Sequence, residues 1–166
     1  MHFAPIEGAS TSSHSTASRE IILGTDFSGM DATAFYLRIL GVAFIHLFAS
    51  EKNDDARAFL ESNHSIRFIY DDVSRRPKLW NEVLDIYVSG PPCQSFSRLG
   101  KQRGVQDARG QLFEESIAFI EQGQPLSFVI ENVPQISSVQ NGKFFQAIVE
   151  PVNLCWVFGT PYHIIS

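Results

Sequence analysis

Residues 20–50 read EIILGTDFSGMDATAFYLRILGVAFIHLFAS, and the alternation inside this stretch decides the fold class. EIILGTDF (20–27) is a short apolar run that closes on Ser28 and Gly29. DATAFYLRIL (31–40) places apolar residues at helical spacing, at Ala34, Leu37, and Leu40 or Gly41. VAFIHLFAS (42–50) reads as a second buried strand. Strand, helix and strand in this order predict a βαβ unit with parallel strands.

The same alternation continues downstream. DDARAFLESNH (54–64) predicts a helix, SIRFIY (65–70) a third strand and LDIYVSG (84–90) a fourth. GQLFEESIAFIEQG (110–123) is the clearest amphipathic helix. Its apolar positions are Leu112, Phe113, Ile117 and Ile120, and Gly123 is its stop. LSFVIENV (126–133) is a fifth strand, GKFFQAIVE (142–150) a helix and NLCWVFGT (153–160) a strand. The expected architecture is α/β, a parallel sheet covered on both faces. Ligands of such sheets bind beyond the carboxyl ends of the strands. The residues to examine are therefore Phe27-Ser28-Gly29, Glu51, Asp72, Pro92-Cys93 and Glu131-Asn132.

At 166 residues the chain can form one domain with a full core, and 44% hydrophobic with 19% charged residues is ordinary for a globular protein. No apolar run approaches the length of a membrane span. Residues 1–19 include the Ser/Thr-rich GASTSSHSTAS and predict a disordered tail ahead of a domain over 20–166. That tail has neither the apolar core of a secretory signal nor the Arg-rich character of a transit peptide. Two cysteines, Cys93 and Cys155, make neither a disulfide framework nor a zinc cluster, and no metal is expected. A reducing, intracellular setting fits them. The net charge is −5, yet Arg98, Lys101, Arg103 and Arg109 face a single acid, Asp107, within 98–109. Alone, such a run reads as a solvated loop.

The strand ends suggest a chemistry. A glycine turn into a helix, as in DFSGMD, can hold a nucleotide-like ligand against the backbone. Glu51 after the second strand would accept from ribose hydroxyls or cap the next helix. Asp72 after the third would meet an adenine amine or cap a turn. Gly, Glu and Asp in that order suggest an adenosine-containing cofactor. Cys93 follows two prolines, a stiff mount lacking N–H donors, and precedes a loop. A free thiol titrates at about 8.5, and cationic neighbours favour the thiolate nucleophile. Glu131 ends an apolar strand, where burial would raise its pKa and make it a proton donor.

GPPCQSFSRLGKQRGVQDARGQLF (90–113) followed by FVIENV (128–133) resembles the DNA (cytosine-5) methyltransferase family. The catalytic Pro-Cys-Gln signature stands as Pro92-Cys93-Gln94. The next block stands as Gly100-Lys101-Gln102, then Asp107-Ala108-Arg109-Gly110-Gln111-Leu112-Phe113. The Glu-Asn-Val block is Glu131-Asn132-Val133, and the Phe-x-Gly cofactor turn is Phe27-Ser28-Gly29. Glu51 and Asp72-Val73 match the acids after strands two and three. The resemblance implies a Rossmann-like S-adenosylmethionine-dependent methyltransferase fold. It implies methyl transfer to carbon 5 of cytosine in DNA through a covalent Cys93 adduct, assisted by Glu131. The target base would be extruded from the duplex. Phe27, Gly29, Glu51, Asp72, Val73, Pro92 and Leu112 would line the S-adenosylmethionine site. Gln94, Ser97, Arg98, Lys101, Arg103 and Arg109 would face DNA.

The chain departs from the family pattern in two places. Thr25 stands where the family has Asp, and Asp31-Ala32 where it has Gly-Gly, which predicts a reshaped cofactor loop with Asp31 as a helix cap. A Gln-x-Arg-x-Arg block and the target-recognition region that follows it are absent. The expectation is an incomplete catalytic domain: a fragment, a truncated product, or half of a split enzyme that a complementing subunit completes. Two other readings share these residues. A transfer-RNA cytosine-5 methyltransferase carries Pro-Pro-Cys-Gln and Glu-Asn-Val too, although GKQRGVQDARGQLF is closer to the DNA enzymes. An inactive remnant acting only by association is the non-enzymatic reading. A cysteine hydrolase fits poorly, because no His lies near Cys93 in sequence; His46 and His64 read as structural or surface residues. The resemblance implies a nuclear location in a eukaryote and a cytoplasmic one otherwise.

Overall fold

In the computed structural model, residues 19–92 and 108–132 are described, together with 142, 143 and 146. The expected tail and the elements at 142–150 and 153–160 lie outside these residues, apart from Arg19 and the three isolated positions. The order is β1 (Ile21–Asp26), α1 (Ala32–Ile39), β2 (Phe44–Ser50), α2 (Asp54–Asn63), β3 (Ile66–Tyr70), a 3-10 turn (Val73–Arg75), β4 (Ile86–Ser89), α3 (Ala108–Gly123) and β5 (Ser127–Ile130). Each matches a strand or helix expected from the pattern, except the 3-10 turn, which carries no periodic signal.

The five strands form one sheet in the order β3-β2-β1-β4-β5, and all pairs are parallel. β1 is central. The chain winds outward to β3, then returns to the other side of β1 for β4. The crevice beyond the carboxyl ends of β1 and β4 is therefore the topological switch point.

Local chemistry explains where the helices begin and end. The Asp31 side chain caps α1 by accepting from the Ala34 amide at 3.0 Å. Asn53 caps α2 in the same way, and Asp54 and Asp55 complement the positive end of its dipole. α3 stops at Gly123, with Gln124 left-handed at φ 42°. Of the expected apolar stripe on α1, Ala34 is fully buried, Leu37 is half-buried and Leu40 is exposed. Leu40 is the C-cap residue, turned off the face that meets the sheet.

The main core lies between the sheet and α3, from Leu47, Phe48, Leu84 and Tyr87 to Phe113, Ile117, Phe119 and Ile120. Phe119 packs on Tyr87 at 4.5 Å and on Phe48 at 5.4 Å between ring centroids, and Trp80 stacks on Phe48 at 5.3 Å. A register shift in β2 opposite Leu23/Gly24 skips Leu47. It turns His46 toward α1 and α2, while Phe48, two residues on, faces α3. Gly24 makes room for that ring: a Cβ there would lie 2.6 Å from Phe48 Cε1.

Candidate active site

A cavity of about 320 Å³ opens at the carboxyl ends of the strands. Phe27, Glu51, Asp72, Val73, Pro92 and Leu112 line it, joined by Ser50, Lys52 and Gly90. The first six are sequence candidates, drawn from five separate segments onto one cleft. Gly29, the seventh, sits in the turn behind the wall.

The turn after β1 is built from left-handed residues. Phe27, Gly29 and Asp31 all have φ 54°. Phe27 is bulky for that region, so its flanks must hold it. The Ser28 amide donates to the Ser50 carbonyl at 3.1 Å. Glu51 accepts from the Gly29 amide through Oε2 and from the Asn53 amide through Oε1, both at 2.8 Å. The Glu51 amide donates to the Tyr70 carbonyl at 2.9 Å. One carboxylate thus ties the β1 turn to the start of α2, and each oxygen keeps a lone pair for a ligand hydroxyl. Its two sequence readings, ribose acceptor and helix-start acid, are compatible in one geometry.

Asp72 caps the 3-10 turn, its Oδ1 accepting from the Ser74 amide at 2.9 Å and the Ser74 hydroxyl at 2.7 Å. Those two bonds hold its carboxyl below the usual range, with help from Lys52 and Arg75, so it is ionised at neutral pH. Ser50 Oγ is buried in the cleft wall with no partner among the described residues. Two carboxylates, one unpaired hydroxyl and the apolar surfaces of Phe27, Val73 and Leu112 form a donor set suited to a nucleoside: a flat base with a polyhydroxyl sugar.

Glu131 follows β5, with its amide donating to the Ser89 carbonyl at 2.9 Å. A Cβ on Gly90 would lie 3.8 Å from Glu131 Oε2, so the carboxylate stands beside the cleft at the β4 end. The burial expected of Glu131 is not found: the residue is exposed. β5 is the edge of the described sheet, so no further described strand flanks its end. Asn132, unassigned by sequence reasoning although it lies in the quoted Glu-Asn-Val block, donates from Nδ2 to the Pro91 carbonyl at 3.0 Å. It fastens the β5 end to the rigid turn leading into Cys93. Cys93, Gln94, Ser97, Arg98, Lys101 and Arg103 lie outside the described residues, and Arg109 is described only as backbone in α3.

The two positions that depart from the family pattern bond to each other. Thr25 Oγ1 donates to Asp31 Oδ2 at 2.8 Å and lies 3.1 Å from His46 Nε2. His46 Nε2 is 3.3 Å from Asp31 Oδ2. Burial drives the His46 pKa down to about 4 despite the Asp31 charge, so the ring is neutral near pH 7 and the contact is not an ion pair. His64, also buried, lies 2.9 Å from an Arg38 nitrogen through Nδ1 and 3.1 Å from the Met30 carbonyl through Nε2. Both histidines are structural.

On the other face of the sheet, Asp26 and Arg76 form a buried ion pair joined by the Tyr87 hydroxyl. Sequence reasoning missed it, because Asp26 hides inside an apolar run and Arg76 in the charged stretch DDVSRRPK. Among the described residues there is no group of three or more His, Cys, Asp or Glu arranged to hold a metal. No described helix is long and apolar enough to cross a membrane.

Comparison with known proteins agrees with this geometry. The family model for C-5 cytosine-specific DNA methylase matches residues 27–155. The orphan methyltransferase M.SPRI of Bacillus phage SPR is 32% identical over 126 residues, covering 75% of this chain and 29% of the relative. The type II methyltransferase M.HpaII of Haemophilus parainfluenzae is 32% identical over 124 residues, covering 74% and 34%. The chain thus spans about a third of the length of these curated relatives. Among solved structures, a protein described as a DNA modification methyltransferase of an E. coli prophage superposes with a TM-score of 0.62 at 24% identity, over 81% of this chain and 38% of that one. The Dnmt2 methyltransferase of S. pombe gives 0.55 at 15%, over 80% and 40%. At these identities the likeness concerns the fold, a Rossmann-like methyltransferase sheet.

Proposed function

Because this chain belongs to the C-5 cytosine-specific DNA methylase family, we propose that it carries the cofactor cleft and the nucleophile of an S-adenosylmethionine-dependent cytosine-5 methyltransferase acting on DNA. The observation that carries the reading is the convergence of Phe27, Glu51, Asp72, Val73, Pro92 and Leu112 on one nucleoside-sized cleft at the switch point. Glu51 holds the ribose hydroxyls, and Asp72 accepts from the adenine amine. Phe27, Val73 and Leu112 cover the base. S-adenosylmethionine, when bound, supplies the electrophilic methyl group.

The chain's own residues prepare the acceptor. The Cys93 thiolate adds to carbon 6 of an extruded cytosine. Glu131 protonates ring N3 as that bond forms, which leaves carbon 5 enamine-like and nucleophilic. After methylation a base takes the carbon 5 proton, elimination breaks the Cys93–carbon 6 bond and restores the thiolate, and N3 returns its proton to Glu131. The exposed position of Glu131 in this chain leaves it free to meet the base edge, and Asn132 steadies the Pro91 turn opposite. The basic residues Arg98, Lys101, Arg103 and Arg109, with Gln94 and Ser97, contact the DNA.

We also propose a complementing segment, on this polypeptide or another, that supplies target recognition. Its support is the length of the relatives together with the β5 edge of the described sheet, where Val129 on β5 and Leu126 just before it are 56% and 64% exposed. The enzyme would work on intracellular DNA.

The test is covalent trapping. The chain, S-adenosylmethionine and DNA carrying 5-fluorocytosine, which blocks the final elimination, should give a mass-shifted adduct that Cys93→Ser abolishes. No adduct, under conditions in which a full-length relative forms one, would refute catalysis by this chain alone. An adduct on 5-fluorocytosine RNA but not DNA would favour the RNA reading.

A further inference from the structure

One guanidinium gathers a residue from every segment that walls the cleft. Arg76 follows the Val73–Arg75 turn, and its side chain is fully buried. Its Nε lies 2.9 and 2.8 Å from the two Asp26 oxygens, and Nη2 lies 2.5 Å from Oδ2. Asp26 is the last residue of β1, directly before Phe27. From β4, Tyr87 donates its hydroxyl to the same Asp26 oxygen at 2.5 Å. From α3, the Phe119 ring centroid lies 4.2 Å from the guanidinium carbon, and the Glu115 carbonyl is 3.5 Å from Nη2. From β2, the Phe48 ring lies 5.6 Å away. The cleft-lining residues Phe27, Glu51, Val73, Pro92 and Leu112 stand on or directly after these same segments.

Stability alone is a weak reason for such a group. A buried ion pair loses about as much in desolvation as its attraction returns, and apolar residues of similar volume often serve as well or better. Arg76 Nη1 is moreover buried without a partner among the described residues. What a guanidinium supplies that an apolar side chain does not is a planar fork with fixed angles to a carboxylate. Here the fork joins the turn that holds Phe27, whose φ of 54° needs pinned flanks, to the turn that presents Asp72 and Val73.

We propose that Arg76 is a positioning residue for the cofactor cleft, its fork on Asp26 setting the separation between the Phe27 wall and the Asp72–Val73 wall. The inference rests on the cofactor reading above. It makes the spacing of the two walls depend on a partnership that no ligand touches.

The experiment measures S-adenosylmethionine affinity by titration calorimetry and stability by urea unfolding, on the full chain. The paired variant Asp26→Leu/Arg76→Met removes both charges together, so it should remain folded and as stable as the parent. It should nevertheless bind S-adenosylmethionine about tenfold more weakly, since small misplacements of a binding wall are costly. Arg76→Lys, which keeps the charge and loses the fork, should not restore full affinity. A folded paired variant with the parent's affinity would overturn the proposal and leave the ion pair a structural feature only. If the paired variant does not fold, Tyr87→Phe decides. It leaves the charges paired but loosens the hub, so affinity should fall about threefold, and unchanged affinity would overturn the proposal. A parent chain that does not bind S-adenosylmethionine at all would refute the cofactor reading, and the positioning role with it. Binding by parent and variants alike would sink the positioning role alone.

Discussion

Thr25 and Asp26 are neighbours at the end of β1, and because strand side chains alternate they enter two buried polar clusters on opposite faces of the sheet. On the α1 side, Thr25 joins Asp31 and a neutral His46. On the α3 side, Asp26 joins Arg76 and Tyr87. Burial works against the Arg76 charge, but the hydrogen bonds and charge of Asp26 outweigh it and raise the guanidinium pKa further. Burial and the Asp26 charge likewise push the Tyr87 phenol up, so it stays a donor. Arg76 and Tyr87 therefore both keep their protons across the physiological range. The α1 cluster contains a group that titrates in mild acid. Two polar sites on one strand end differ in kind because one contains a permanently charged partner and the other does not.

That contrast can be broken from either side. The largest effect is expected for Arg76→Met alone, which strands a buried Asp26 carboxylate. Urea unfolding should show a loss of about 3–5 kcal/mol, far more than the paired replacement. Acid should separate the clusters next. The folded pKa of His46, about 4, lies below the ordinary histidine value of 6.5. The unfolded chain therefore binds the extra proton first, and stability falls as pH drops from 6.5 toward 4, levelling below. Between pH 7.5 and pH 5 this amounts to about 2 kcal/mol. His46→Gln should remove that part of the pH dependence, whereas Tyr87→Phe should leave it intact. An equal slope in the His46 variant would refute the assignment. Asp31→Ala removes the α1 cap and the Thr25 bond, and it forces Ala to adopt a left-handed φ of 54°. The expected loss is about 2 kcal/mol by the same unfolding measurement. Thr25→Val keeps shape and removes one hydroxyl, for about 1 kcal/mol. A thermal melt unchanged by Thr25→Val would mean that Asp31 and His46 satisfy each other without it.

The candidate site was legible to different depths. Phe27, Glu51, Asp72 and Pro92 could be found because the ends of apolar runs locate the ends of strands, and parallel sheets bind ligands there, whereas Val73 and Leu112 came only from the family resemblance. Order and period place the strand ends together, and the resemblance adds that they share one cofactor cleft. Ser50 and Gly90 escaped notice because small residues at strand ends carry no pattern. Glu131 was expected to be buried because its strand is apolar, yet burial at a strand's end depends on what stands beside it, and β5 is the edge of the described sheet. The 3-10 turn at Val73–Arg75 is too short to show a period.

The amino-acid sequence by itself determined the alternation of strands and helices, the cap at Asp31, and the strand-end residues offered to the cleft. These are local matters, settled by side-chain period and by hydrogen bonds within a few residues. Only the tertiary structure decided that β1 lies at the centre of the sheet, that a register shift turns His46 and Phe48 to opposite faces, and that Asp26 meets Arg76 fifty positions away. A charge inside an apolar run and another in a polar stretch have no local mark of partnership. They find each other because packing α3 against the sheet brings both into the same dry interior, where neither can remain charged alone.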